Sequence, residues 1–435
     1  MGKRYDTLLP ALKRLLPEDR LDTLGRVVAF IRRLRALQAS TFVWSVVLSR
    51  FGHGKPGFEQ ARQWYERLAG STLWPRPFQM RFKSRAAVRL FERAFEAAVQ
   101  PWRQRLRVAH PLAKKFSDVV AVDTTWLQAS DALEGVFKGF RTAKASLKVA
   151  LSVSVFGGIP LYAAVFEGTP HDSRLFPPLE IFRRGTLLLF DKGFSSYDQL
   201  QAISDAGLHY LCPMNRVGNA LVVGARRAPK YVRNALRRNP KGVWLRELLP
   251  TNKRIGKTWD LDVRVRDRTN STPKIRTRLV IVPGTIRPQR PYLTNVTPED
   301  CSPAALEELY RLRWQIELVI KELKQDLNLC TLPSKDPNAV KVFIWASLIA
   351  LAVSRTVFAV ICPMGNAVGL RSRCRRSLTT RALRSAVHLI GRALVDRTGK
   401  ALSYVGLLLD QLLLEVRARA PGREDSFQRL QALLL

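Results

Sequence analysis

The order of the apolar runs in the middle of the chain limits the fold more than any other feature. Residues 119–122, 150–156 and 161–166 are short runs rich in β-branched and aromatic residues, which is typical of strands. Gly157-Gly158-Ile159-Pro160 separates the second run from the third, and this spacing predicts a β-hairpin. The central region is therefore expected to begin with three strands, two of which pair directly.

Helical and strand patterns then alternate. We expect a helical stretch to begin near Asp172, followed by a strand at 186–190, a helix at 196–206 and a strand near Tyr210 and Leu211. This alternation predicts an α/β layer around a mixed sheet. His171-Asp172-Ser173 has the residue types of a hydrolase triad, but adjacent residues cannot form such a triad together. Asp172-Ser173 is therefore interpreted as a helix N-cap.

The flanking regions have different patterns. Residues 1–110 carry apolar residues at helical spacing, as in 21–37 and 86–99, and predict a helical N-terminal domain. Cations on its polar faces suit DNA-end binding, although they also suit solvated helix faces. Short apolar runs punctuated by Gly, Pro and Asn predict a β-rich insertion at 216–292, which divides a core made of 111–215 and a helical segment at 293–335. Residues 336–435 predict a helical C-terminal region.

The charge balance indicates a polyanionic partner. The chain has 72 Lys and Arg against 35 Asp and Glu, a formal net charge of +37. Because these cations are spread along the chain and not gathered beside one apolar segment, nucleic acid explains them better than a membrane surface.

The remaining composition points to the cytoplasm. The first six residues lack the apolar core of a signal peptide, and the longest apolar run, 342–353, is shorter than the roughly 20 residues that cross a bilayer. We therefore expect a buried helix there and no membrane association. The five cysteines are widely spaced without a CxxC pair, which predicts reduced thiols and no zinc site.

Two acidic residues follow strand-like runs directly, Asp123 after 119–122 and Asp191 after 187–190. A strand end holds a carboxylate rigidly at the sheet edge, where two carboxylates can share hard divalent cations. A single Asp after a strand is more often a turn or a helix cap, so the pair needs a third feature.

The segment 302–328, expected to be one helix, supplies that feature. Tyr310, Arg313, Glu317 and Lys324 stand at offsets of zero, three, seven and fourteen, which places them within a stripe about 60° wide at 100° per residue. The stripe borders the apolar face of the helix. Ordinary charge pairing along a helix would also account for the acid and its neighbouring cations.

At these residues the chain resembles the DDE transposases of the insertion-sequence-four type, found in bacterial mobile elements. Their Tyr-x2-Arg-x3-Glu-x6-Lys motif is matched at every spacing by the four residues of the stripe. Asp191-Lys192-Gly193-Phe194 is similar to their Asp-Arg-Gly-Tyr/Phe motif, with Lys192 for Arg, and Asp123-Thr124-Thr125 is similar to their first motif, with Thr124 for Gly or Ser. The resemblance covers roughly residues 116–330.

The resemblance implies an RNase H-like catalytic core with a β-rich insertion, flanked by helical regions. It implies that Asp123, Asp191 and Glu317 bind two Mg²⁺ ions, with Mn²⁺ able to substitute, and that they cut and rejoin DNA. Tyr310, Arg313 and Lys324 would then contact phosphates of the transposon end.

The partners expected from the resemblance are double-stranded DNA, as terminal inverted repeats and target, and a second copy of the chain in a homodimeric DNA complex. Two alternatives stay open: a catalytically silent DNA-binding descendant of a transposase, and another RNase H-like nuclease that does not join strands. Trp244 and Trp259 suit core packing or stacking on an exposed base.

Overall fold

The computed structural model describes residues 7–32, 37–54, 56–105, 115–139, 142–168, 170–214, 219–250, 256–265, 275–283, 291–367, 376–395 and 400–417. The strands in chain order are β1 Val119–Gln128, β2 Ser146–Ser154, β3 Ile159–Glu167, β4 Leu187–Phe190, β5 His209–Pro213, β6 Ala220–Arg227, β7 Val243–Trp244, β8 Trp259–Val265, β9 Ile275–Ile281 and β10 Tyr292–Thr294. The helices are α1 Leu8–Leu15, α2 Glu18–Val27, α3 Ala39–Ser49, α4 Phe58–Ala69, α5 Pro75–Phe82, α6 Arg85–Arg105, α7 Tyr197–Asp205, α8 Lys230–Arg238, α9 Leu245–Leu248, α10 Pro303–Arg311, α11 Trp314–Gln325, α12 Pro337–Ala367, α13 Arg376–Val395 and α14 Ala401–Arg417.

The centre of the molecule is a mixed sheet of ten strands in the order β3-β2-β1-β4-β5-β10-β9-β8-β6-β7. β1, β2 and β3 pair antiparallel, whereas β4 runs parallel to both β1 and β5. The α/β layer around a mixed sheet is thus confirmed. So is the predicted hairpin: Gly158, at φ 60°, turns the chain from β2 into β3 and donates its N–H to the carbonyl of Ser154.

The strands of the predicted insertion extend this sheet and do not form a separate one. β10 pairs with β5 on one side and with β9 on the other, and β8, β6 and β7 continue outward. The run at 243–249 is only partly extended, since Val243 and Trp244 form β7 and the next residues form the single turn of α9.

Two helical predictions were wrong. The pattern at 21–37 does not form one helix, because α2 ends at Val27 and Ala29 adopts a left-handed φ of 57°. Residues 33–36 of that pattern lie outside the described residues. After Asp172 the chain forms two 3₁₀ turns, Asp172–Arg174 and Leu179–Ile181. Pro177 and Pro178 separate the turns, and proline cannot supply the N–H that a continuous helix needs.

The helices on one face of the sheet pack around the apolar α12, which contacts β3, α3 and α6. Within the part of the chain that the structure describes, Pro337–Val360 is long and apolar enough to cross a membrane, with a mean hydropathy of 1.9, but 89% of its 18-residue apolar window is buried inside the protein. The predicted buried helix is confirmed by this burial. The apolar segment was expected to be too short to cross a bilayer, which was wrong because it extends beyond 342–353.

Candidate active site

Asp123 and Asp191 lie side by side at the end of a parallel strand pair. Val122 of β1 pairs with Phe190 of β4, and each aspartate is the residue that follows one member of this pair in the sequence. Neighbouring strands are about 4.8 Å apart, so the register alone places both carboxylates in one region. Asp191 follows its strand as predicted. Asp123 does not, because β1 continues to Gln128 against β2 and only its pairing with β4 ends there.

Glu317 lies in the first turn of α11, which packs against β1. The predicted single helix at 302–328 was wrong: the chain forms α10 and α11, separated at Leu312 and Arg313. The N–H groups of these two residues bond to carbonyls three residues back, which tightens the chain into a 3₁₀ turn.

Arg313 connects the helix to the sheet at this break. Its Nη1 lies 3.4 Å from Oδ2 of Asp123, and its Nη2 donates to Oε1 of Glu317 at 2.5 Å. Oδ1 of Asp123 accepts the N–H of Thr124 at 2.8 Å. Two of the three predicted catalytic carboxylates therefore share one guanidinium group.

The charge state of Asp123 reflects its surroundings. Burial raises the pKa of Asp123 to about 6, and the nearby charges of Glu317 and Asp191 act in the same direction. The Thr124 N–H and Arg313 oppose this rise. Asp123 is thus close enough to both other acids for their charges to affect its pKa.

The donor set fits a hard divalent cation, since it consists of carboxylate oxygens, the ligands that Mg²⁺ and Mn²⁺ prefer. Among the described residues, however, no three His, Cys, Asp or Glu side chains are already gathered closely enough to hold an ion. The guanidinium of Arg313 lies between two of the acids. The residue types suit the cation, whereas their present arrangement is organised around Arg313.

Tyr310 and Lys324 flank this centre. The ring of Tyr310 packs against Tyr292 of β10, with centroids 4.9 Å apart, and the Cζ atom of Arg313 lies 5.8 Å from the Tyr310 ring centre. Lys324 donates from Nζ to the carbonyl of Trp126 on β1 at 3.2 Å. Their assignment to phosphate contact stays a prediction.

Sequence reasoning missed the polar contacts of Asp172, which was interpreted only as a helix cap. Its Oδ1 accepts from Thr124 Oγ1 at 2.8 Å and from Lys148 Nζ at 2.9 Å, while the side chain of His171 caps the 3₁₀ turn. Lys148 is buried in the otherwise mostly apolar strand β2. That single cation in a strand was the available signal, because a buried lysine requires an acidic partner.

The two tryptophans of the insertion differ in burial. Trp259 is only 1% exposed and belongs to the core on the face opposite α11, as core packing predicts. Trp244 is half-buried in β7. Neither lies among the contacts that organise the three acids.

One family model matches more than half of the chain. Residues 114–353 match the family described as the transposase DDE domain. The chain is 21% identical over 379 residues to the transposase for insertion sequence element IS231F of Bacillus thuringiensis subsp. israelensis, covering 80% of this chain and 79% of that one. It is 43% identical over 58 residues, 13% of this chain and 16% of the other, to a putative transposase InsL for insertion sequence element IS186A of Escherichia coli strain K12. A solved structure of the piggyBac transposase synaptic complex with hairpin DNA aligns at 9% identity and a TM-score of 0.42, covering 98% of this chain and 85% of the matched chain.

Proposed function

Because the chain belongs to the transposase DDE domain family and is a DNA transposase, we propose that Asp123, Asp191 and Glu317 are the catalytic residues. In this proposal they cleave DNA at the transposon ends and join the freed ends to target DNA. The observation that carries it is the register of β1 and β4, which places two carboxylates side by side beneath the helix that carries the third.

The chemistry explains why three acids are needed. A phosphodiester resists nucleophilic attack because it is anionic, and two cations about 3.5–4 Å apart would activate the attacking oxygen and stabilise the leaving one. Asp123, Asp191 and Glu317 would hold those cations through carboxylate oxygens. We assign Mg²⁺ as the ion, with Mn²⁺ able to substitute, on the basis of this all-oxygen donor set.

We further assign the core to the RNase H-like fold. The strand order β3-β2-β1-β4-β5, with three antiparallel strands followed by two parallel ones, supports this assignment. In our division, residues 111–215 and 293–335 form the core, 216–292 the insertion, 1–110 a helical DNA-end-binding domain and 336–435 a helical C-terminal region.

The partner we propose is double-stranded DNA, both as the element's terminal inverted repeats and as target. The net charge of +37 supports it, and so do the relatives, which are transposases of insertion sequences. We also propose that two copies of the chain act together on paired ends, within the bacterial cytoplasm near the nucleoid. Family membership favours transposition over the alternative of an RNase H-like nuclease that only cuts.

Cleavage of a labelled duplex carrying the element's terminal repeat tests the catalytic assignment. Asp123→Ala, Asp191→Ala and Glu317→Ala are each expected to abolish cleavage and joining while end binding persists, and Ca²⁺ is expected to support binding without turnover. Glu134→Ala is a suitable control, because Glu134 is an exposed acid outside the site. Activity in excess EDTA, or an active Glu317→Ala protein, would contradict the assignment.

A further inference from the structure

A role in phosphate contact alone does not explain why Arg313 pairs with two acidic side chains. Its guanidinium is largely buried and bonds to Oδ2 of Asp123 and Oε1 of Glu317, two oxygens of the proposed cation ligands. We propose that Arg313 is the counter-ion of the metal-free site: it pairs with Asp123 and Glu317 until a divalent cation replaces it, and it then turns to a DNA phosphate. This inference rests on the catalytic assignment above.

Replacement follows from space and charge. A cation bound to Oδ2 of Asp123 and Oε1 of Glu317 needs lone pairs on the same oxygens that now accept from Arg313. A guanidinium and a divalent cation a few Å apart also repel each other by several kcal/mol at the effective dielectric of a partly buried site. The two cannot occupy the space between the acids together, so Arg313 has to move when the metal binds.

A phosphate group is a suitable partner for the displaced guanidinium of Arg313. Its Nε is buried and has no hydrogen-bond partner among the described residues, so one donor is unmet even in the present arrangement. A phosphate accepts from an arginine through two parallel bonds and would satisfy that donor. The ring of Tyr310 lies beside Arg313 and supports a cation above its face.

One consequence is that metal and DNA bind cooperatively. The metal releases Arg313 for the phosphate, and the phosphate removes from the acids the group that competes with the metal. Coupling between two ligands is reciprocal, so each raises the affinity for the other by the same factor. A second consequence is unusual: removing Arg313 strengthens metal binding when DNA is absent.

The test measures Mn²⁺ binding from the EPR signal of free Mn²⁺, with no catalytic readout. Without DNA, Arg313→Gln is expected to bind Mn²⁺ about tenfold more tightly than the wild type, the order expected when a positive charge a few Å from the site is removed. Arg313→Lys, which keeps the charge, is expected to stay closer to the wild type. Arg311→Gln is the matched control, because Arg311 is exposed and pairs with Glu307 and Glu308, away from the three acids.

The second arm repeats the titration with a terminal-repeat duplex bound in Ca²⁺-free buffer. The wild type is expected to gain Mn²⁺ affinity with the duplex, and Arg313→Gln to gain much less. Unchanged or weaker Mn²⁺ binding by a folded Arg313→Gln protein, checked by circular dichroism, overturns the inference. If Asp123→Asn and Glu317→Gln leave Mn²⁺ affinity at the wild-type value, the catalytic assignment itself fails, which is a different result.

Discussion

Arg355 of α12 and Glu322 of α11 form a two-pronged ion pair, with Nη1 to Oε1 at 2.9 Å and Nη2 to Oε2 at 2.6 Å. Arg355 is 0% and Glu322 3% exposed. Arg355 also donates from Nε to the carbonyl of Gly158 in the β2–β3 turn, and Thr380 of α13 donates to Glu322. The pair thereby ties α11, five residues beyond Glu317, to three other elements.

Removing one partner of this pair is expected to destabilise the protein strongly. Arg355→Met leaves the Glu322 carboxylate buried without a counter-charge, which costs about 3–5 kcal/mol in the free energy of unfolding. The double variant Arg355→Met with Glu322→Leu is expected to recover most of this loss, because two apolar side chains need no partner. Urea denaturation of the three proteins measures the effect, and a single variant as stable as the double would contradict it.

The sequence predicted the elements that present the acids. Alternating strand and helix patterns placed Asp191 after β4 and indicated the α/β layer, because burial on a sheet leaves a strong local signature. The position of Asp123 was less accurate, since the end of its pairing with β4 depends on where β4 stops and not on β1 itself.

The contacts inside the site could not be predicted in the same way. No Gly or Pro marks the break between α10 and α11, so a local pattern gives no sign of it. The sequence pattern places Arg313 beside the apolar face of the helix, but it gives no sign of the bond to Asp123, which joins residues 190 positions apart. Such a contact depends on how α11 packs on β1, which periodicity does not specify.

Asp118 is expected to make the stability of the protein depend on pH. It lies directly before β1 and is 4% exposed. Burial raises its pKa to about 6, although hydrogen bonds from Ser154 Oγ and the Val119 N–H act to lower that pKa. Because the folded state holds this proton more tightly than the unfolded one, its contribution to stability is present below pH 4 and is lost as the pH rises through 6.

The measurement compares wild type with Asp118→Asn, which keeps the acceptor oxygen without the charge. Between pH 4 and 6 the wild type is expected to lose on the order of 2–3 kcal/mol more unfolding free energy than the variant. Parallel stability curves for the two proteins would show that Asp118 is not the group responsible.

Asp172 is expected to hold the sheet beside Asp123 in place. Asp172→Ala removes the acceptor of Thr124 and leaves the ammonium of Lys148 buried without its carboxylate, which costs about 2–4 kcal/mol. Asp172→Asn combined with Lys148→Met restores the charge balance and is expected to regain most of the stability. Melting temperature and end cleavage are measured together, and an Asp172→Ala protein with the wild-type melting temperature would contradict the expectation.

DNA affinity is expected to depend steeply on salt. With a net charge of +37, many cations contact phosphates and release counterions, so affinity falls by several orders of magnitude between roughly 50 and 200 mM salt. Fluorescence anisotropy with end and random duplexes measures both slopes. A flat dependence would mean that the charge serves another purpose than phosphate contact.

Lys324 provides the last prediction, because the structure gives it two possible roles. It lies on α11 beyond Glu317, whereas Tyr310 lies on α10 before it, so the two residues can contact phosphates on either side of Glu317. It also donates to the Trp126 carbonyl of β1. If the phosphate role holds, Lys324→Ala and Arg313→Ala weaken specific end binding and lower cleavage together, and high protein concentration partly restores cleavage.

Glu317→Ala is expected to show no such recovery, because a missing ligand is not replaced by more bound protein. Lys321→Ala is the matched control, an exposed lysine one turn earlier on α11. A gel shift and a cleavage assay on the same end duplex, over one protein titration, separate the outcomes. If Lys324 serves only the helix and the strand, its loss lowers thermal stability while DNA binding stays at the wild-type value. That pattern for both Lys324→Ala and Arg313→Ala would refute the phosphate assignment. Neither the positioning of the scissile phosphate nor its cleavage would then depend on these two cations.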